Sequence, residues 1–409
     1  MSERLARTTE KIIMKTITKF IYFGFASLAL ACGSIAFAQD QFEPVIPADS
    51  AAKAAELGAP DGNPIKQTVA FTSGSRWDLT VNAMDKFGLV ITGASFRKSP
   101  NSPFILVLYD GRLGEIFVPY HDNSHRFLDI SNYDWPVLTL NPARFPAPRK
   151  IIGGKICKEV RDYLAWIITP DQVVPGNPPI DHDLFRYGQE VVYFSVLKAA
   201  NYNYITEWTF RDDGTILVRG GSTGPKYNGA DDTIGHTHNF TWRLDIDLNG
   251  AGGDSAYLTK HLEGVPAPLE ATDNKHLIST EGGRVWDPEN FNTLEIFDRT
   301  LQNGRGRPTS YELVPLRTGT AHYTDEPYTK KDFWVTRFNP AQILAVNLPD
   351  YVRDPQSTVN TDIVIWYTST AHHESNERDE DRDTVPIIWT GFELVPKNLF
   401  DGTPFYPNP

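Results

Sequence analysis

The sequence predicts an all-β protein, a large β-sandwich with few helices, on three observations. Short apolar or alternating runs recur from Trp77 onward, clusters of Gly, Pro, Asn and Asp separate them, and helical periodicity is scarce. In chain order the strand candidates are Gly88–Thr92, Phe104–Tyr109, Glu115–Tyr120, Glu190–Ser195, Tyr204–Phe210, Thr215–Val218, Asp332–Phe338 and Asp362–Tyr367. Asp212-Asp213-Gly214 reads as a turn that makes Tyr204 to Val218 a hairpin. Lys158 to Ile168 is the best helical candidate, with a strand as its alternative. Glu374 to Asp383, dense in charge, reads as a solvated loop. No repeat at a fixed period is present.

The N-terminus reads as a secretory signal. A basic stretch starts at Met14-Lys15, an apolar run follows from Phe20 to Leu30, and Ala36-Phe37-Ala38 supplies small residues for cleavage. The expected organisation is a signal peptide over 1–38 (with Met14 as an alternative start), an irregular lead-in over 39–66, and one β-domain over 67–409. The apolar run is too short for a membrane anchor, so the protein is expected to be periplasmic or secreted.

Removing residues 1–38 takes five basic and two acidic side chains from totals of 39 and 51, leaving 34 against 49 and a formal charge of −15. Such a balance argues against nucleic-acid and anionic-membrane partners and mildly favours cationic small molecules such as amines. Of the two cysteines only Cys157 lies beyond the signal, so no intramolecular disulfide is expected.

The chemistry starts at Gly-His236-Thr-His238-Asn-Phe-Thr-Trp-Arg-Leu-Asp-Ile-Asp-Leu. Its even positions are His236, His238, Phe240, Trp242, Leu244, Ile246 and Leu248, and its odd positions include Arg243, Asp245 and Asp247. Alternation along a strand therefore turns both imidazoles inward with the apolar residues. Two adjacent buried imidazoles are most simply satisfied by one metal ion, and on these residues alone zinc and copper both remain open.

Further motifs narrow the choice. Asn201-Tyr202-Asn203-Tyr204 opens the hairpin above, and Asp362-Ile-Val-Ile-Trp-Tyr-Thr-Ser-Thr-Ala-His372-His373 places imidazoles at a strand end. Gly114 to Tyr120, Gly154 to Val160, Arg243 to Asp247, Asp332 to Arg337 and Gly391 to Pro396 follow in order. Together these segments resemble the catalytic domain of the copper amine oxidases over nearly the whole stretch from Trp77 to Tyr406.

The resemblance implies a primary-amine oxidase that uses copper and topaquinone and releases aldehyde, ammonia and hydrogen peroxide. Tyr202 matches the topaquinone precursor, with Asn201 before it; His236, His238 and His373 match the copper ligands. Tyr120 matches a tyrosine that hydrogen-bonds the quinone. Asp134, counted without a gap from Tyr120, matches the catalytic base; it lacks the Gly-Glu that usually follows, so Asp129 and Asp122 stand as alternatives. Asp245, Asp247 and Asp362, with the Ile246 and Ile363 carbonyls, match a calcium site. Partners implied are a primary amine, O2 and a second copy of the chain in a homodimer. The sequence departs from the family pattern at Asn203, where an acid is usual, and at the missing partner of Cys157. A catalytically silent copper-binding protein and a three-histidine zinc hydrolase are the alternative readings.

Overall fold

The computed structural model describes residues 63–167, 185–227, 234–260, 275–289, 292–316, 321–374 and 385–402. The signal-peptide reading, nearly all of the lead-in and nearly all of the charged run after His373 lie outside them.

Nineteen strands are seen in the described residues. They are β1 (Ile65–Ala70), β2 (Arg76–Met84), β3 (Gly88–Arg97), β4 (Ile105–Pro119), β5 (Arg126–Leu128), β6 (Lys150–Ile152), β7 (Ile156–Ile167), β8 (Phe185–Ala199), β9 (Tyr202–Arg211) and β10 (Ile216–Thr223). Then come β11 (His236–Asp245), β12 (Asp254–Lys260), β13 (Lys275–Leu277), β14 (Gly282–Arg284), β15 (Asn292–Gln302), β16 (Pro308–Pro315), β17 (Phe333–Arg337), β18 (Ile363–His373) and β19 (Ile388–Lys397). The one α-helix among them, Leu348–Tyr351, is four residues long.

Two sheets form the sandwich. One runs β1-β2-β3-β4-β11-β18-β17-β14 with β5 added beside β4; the other runs β13-β12-β15-β16-β19-β10-β9-β8-β7-β6. Their ladders are antiparallel, as hairpin-linked strands with polar turns favour. Between the sheets lies one large core holding Trp77, Trp208, Trp242, Tyr204, Phe240 and Phe392. Full burial of each such side chain stabilises by about 2 kcal/mol. Trp208 meets Trp242 edge-on at 5.7 Å, and the closeness of the layers shows at Gly111, where a Cβ would stand 2.4 Å from the Trp208 ring.

The first sheet is covered on its outer side as well. Phe117, Tyr328, Trp334, Leu348, Val364 and Trp366 make a second cluster there. Every residue of β11 is consequently buried, including the odd-numbered positions that alternation alone would assign to solvent.

Of the helical candidate at Lys158–Ile168, the described residues up to Ile167 form a strand, the alternative reading. Residues of β7 pair with β8 from Cys157–Phe194 to Ile167–Phe185. Pairing with β8, interrupted between Leu164 and Trp166, takes up one side of the backbone and overrides a weak helical pattern. The expected hairpin is present as β9–β10, closed across Phe210 and Ile216.

Candidate metal centre and active site

Register brings the three histidines together. His236 on β11 stands directly opposite His373 on β18, and His238 follows two residues along on the same face. One side-chain nitrogen of each lies within 4.8 Å of the others, and all three residues are buried. Nε2 of His236 and Nε2 of His238 are 3.1 Å apart. Two imidazoles bound to one ion at about 2 Å sit roughly 3 to 3.4 Å apart, so the donor set fits a transition metal. Burial, and then the neighbouring His373, push His236 down to about 3. Burial likewise holds His238 far below the ordinary imidazole range. Both rings are therefore neutral, the state that ligates metal. His372 pairs with Thr237 on the opposite face and stacks on His121 at 5.0 Å, away from the triad.

Tyr202 enters from the other sheet. It starts β9 at the tip of the β8–β9 hairpin, where Ala199 pairs with Tyr202 across Ala200 and Asn201. Ala200 takes a φ of 50°, a left-handed conformation that carries strain for a residue with a Cβ. The segment after β10 clamps this tip. Asn201 Nδ2 donates to the Pro225 carbonyl at 2.6 Å, and Gly224 passes so close that a Cβ there would sit 2.2 Å from the Asn201 oxygen. The Tyr202 hydroxyl consequently ends 3.0 Å from His236 Nε2 and 2.9 Å from His373 Nδ1.

Tyr120, just past β4, stacks on His236 at 4.5 Å with the planes 18° apart. Its hydroxyl accepts the Tyr227 backbone N–H at 3.0 Å. Lys226, 6 % exposed, lies near enough for its charge to depress His236 further. Neither Lys226 nor Gly224 carried a sequence signal, because both act through a close approach of segments separated along the chain.

The acid counted from Tyr120 is not brought to this group. Asp134 has 86 % of its side chain exposed and pairs with Lys86 at 3.4 Å. Asp122 is exposed in a turn and accepts the Ser124 N–H. Asp129, the remaining alternative, is 7 % exposed, and its Oδ2 accepts the Tyr204 hydroxyl at 2.6 Å. Tyr204 in turn stacks parallel to Tyr202 at 5.9 Å and lies 3.5 Å from His238 Nδ1. Burial raises Asp129 to about 6. Asp129 follows β5 directly, with its N–H on the Ile116 carbonyl, so that of the three acids this one stands beside the centre.

At the end of β11, one carboxylate oxygen each from Asp245, Asp247 and Asp362 lies within 4.8 Å of the others. Ile246 and Ile363 are buried beside them. Asp254 is raised well above the carboxylate range, first by burial and then by Asp247, Asp298 and Asp362. Part of this charge is met by Arg243, whose Nη1 lies 2.9 Å from Asp110 and 3.7 Å from Asp245.

Comparison with known proteins identifies the family. A family model described as "Copper amine oxidase, enzyme domain" matches residues 185–408, more than half of the chain. The primary amine oxidase of Klebsiella aerogenes is 24 % identical over 87 % of this chain and 55 % of its own length. The Arabidopsis thaliana "amine oxidase [copper-containing] alpha 2, peroxisomal" is 26 % identical over 86 % and 62 % respectively. The chain thus spans little more than half the length of such relatives. Among solved structures, a copper-containing benzylamine oxidase from Hansenula polymorpha superposes with a TM-score of 0.63 at 17 % identity, covering 86 % of this chain and 65 % of that one. At that identity the match speaks for the fold. Matched over more than half its length, the chain belongs to the copper amine oxidase family.

Proposed function

We propose that the protein is a copper- and topaquinone-dependent oxidase of primary amines. The observation that carries this reading is the Tyr202 hydroxyl, held between His236 Nε2 and His373 Nδ1 where a metal bound by the triad would meet it. His236, His238 and His373 would hold the copper, and Tyr202 would become the quinone. When bound, copper would supply, with O2, the oxidising power to make a quinone of Tyr202, and that quinone would supply a two-electron acceptor for the amine. Overall, amine, O2 and water become aldehyde, ammonia and hydrogen peroxide.

Residues of the chain handle position and protons. Asp129 removes the proton from the carbon next to the amine nitrogen. Its burial holds it near pH 6, so at neutral pH it is ionised yet basic enough to take and return that proton. Tyr204 fixes the carboxylate by donating to Oδ2. Tyr120 packs flat on His236 and limits how that ring turns. The three aspartates at the end of β11 offer hard oxygen ligands, and we assign them to a calcium ion of structural role.

The test is to load copper into metal-free protein under O2. A visible quinone absorption that disappears in Tyr202→Phe supports the reading. A colourless copper-loaded protein contradicts it and favours a silent copper carrier, and stoichiometric zinc in protein purified from its source favours the hydrolase.

A further inference from the structure

Glu115 on β4 takes no part in the chemistry above, yet its carboxylate is fully buried. Four donors converge on it. Oε1 accepts the N–H groups of Ile116 at 2.9 Å and Ile130 at 2.8 Å, and Oε2 accepts the Ser131 N–H at 3.2 Å together with the Ser131 hydroxyl. Three of these come from the two residues that follow Asp129. Because β5 stops at Leu128, the Ile130 and Ser131 amides have no ladder partner in the sheet, and a buried amide needs an acceptor.

Asp129 is thereby tied from three directions. Its own N–H meets the Ile116 carbonyl at 2.9 Å, the next peptide is held by Glu115, and its side chain is held by Tyr204 on β9 of the facing sheet. An acid suits this role where an amide would not. Glutamine offers one accepting oxygen and would turn its NH2 toward donors. A displacement of about 1 Å at a reacting group lowers rates on the order of 100-fold, so the anchoring of this peptide bears on the chemical step.

We propose that Glu115 is a positioning residue for proton abstraction: by gripping the Ile130–Ser131 peptides it fixes where the Asp129 carboxylate meets the substrate carbon. This inference rests on the reading of Asp129 as the base.

The test uses full-length protein and two readouts. In copper-loaded, oxidised Glu115→Gln, kcat is expected to fall roughly 10- to 100-fold with KM, copper content and quinone yield close to wild type. In the metal-free protein, amide exchange at Ile130 and Ser131 is expected to quicken by at least about 10-fold while β11 amides keep their protection. Ser131→Ala, which removes a single donor, serves where Glu115→Gln folds poorly; the same two changes should appear at smaller size. Wild-type kcat with unchanged exchange in either folded variant overturns the inference. Asp129→Asn is run beside them. If it abolishes turnover while Glu115→Gln and Ser131→Ala remain at wild type, the base assignment stands and the positioning role falls. If Asp129→Asn itself turns over normally, the base assignment fails and the inference falls with it.

Discussion

The Tyr204 hydroxyl donates to Oδ2 of Asp129 across the sandwich at 2.6 Å, joining β9 of one sheet to the segment after β5 of the other. This bond favours the ionised carboxylate, against the burial that raises it to about 6. Removing it with Tyr204→Phe should move the acid limb of the kcat/KM profile to higher pH, since the carboxylate then ionises less readily. A limb that stays in place or moves down in pH-dependent turnover would reject the link.

Asp129→Asn is expected to lower kcat/KM at least about 100-fold, the scale of losing a general base. Asp134→Asn should stay near wild type, since Asp134 is exposed and paired with Lys86. Steady-state peroxide release from the two variants side by side decides between them, and the opposite ranking would return the base to Asp134.

The same carboxylate has a stability signature. Its folded-state value of about 6 lies above the ordinary value, so the folded protein binds that proton more tightly than the unfolded chain. The stabilisation is complete below the ordinary carboxylate range, about 4, and is lost as pH rises through about 6. Asp129→Asn should therefore gain on wild type between those values, by up to about 3 kcal/mol at neutral pH. Urea unfolding of both proteins at acidic and neutral pH measures this. A gap independent of pH would show that Asp129 is not held up by burial.

Gly224→Ala should disturb the quinone precursor without touching a ligand. Its Cβ would collide with the Asn201 oxygen and the Tyr202 Cα, and overpacking of this kind costs about 1 to 3 kcal/mol. Quinone absorption per bound copper is expected to fall while copper binding persists. Normal absorption would mean that the hairpin tip is free to shift.

The aspartates at 245, 247 and 362 predict a rise in melting temperature on adding calcium to chelator-treated protein, as any ligand of the folded state gives. Asp362→Asn should reduce that rise. An identical response in the variant would place the calcium effect elsewhere.

Much of the centre was legible in the sequence. Period-two alternation put His236 and His238 on one inward face, and the resemblance to the family implied His373, which the structure sets opposite His236. The resemblance to the family located Tyr202. What alternation alone could not reveal was the outer cluster around Trp366 and Tyr328, which buries the far face of β11. A count along the chain measures length and leads to Asp134, which the structure leaves exposed; that Asp129 is buried against partners on β4 and β9 is defined only by the pairing. β7 was ambiguous in sequence because its exposed apolar residues, Val160, Leu164 and Ile167, fall three or four apart and mimic a helical face.

The most direct measurement is the mass of the proteolytic peptide containing Tyr202 after the metal-free protein has been exposed to copper and O2. A gain of two oxygen atoms and a loss of two hydrogens is expected on that tyrosine, absent when copper is withheld. An unmodified Tyr202 in a fully copper-loaded protein would contradict the central claim.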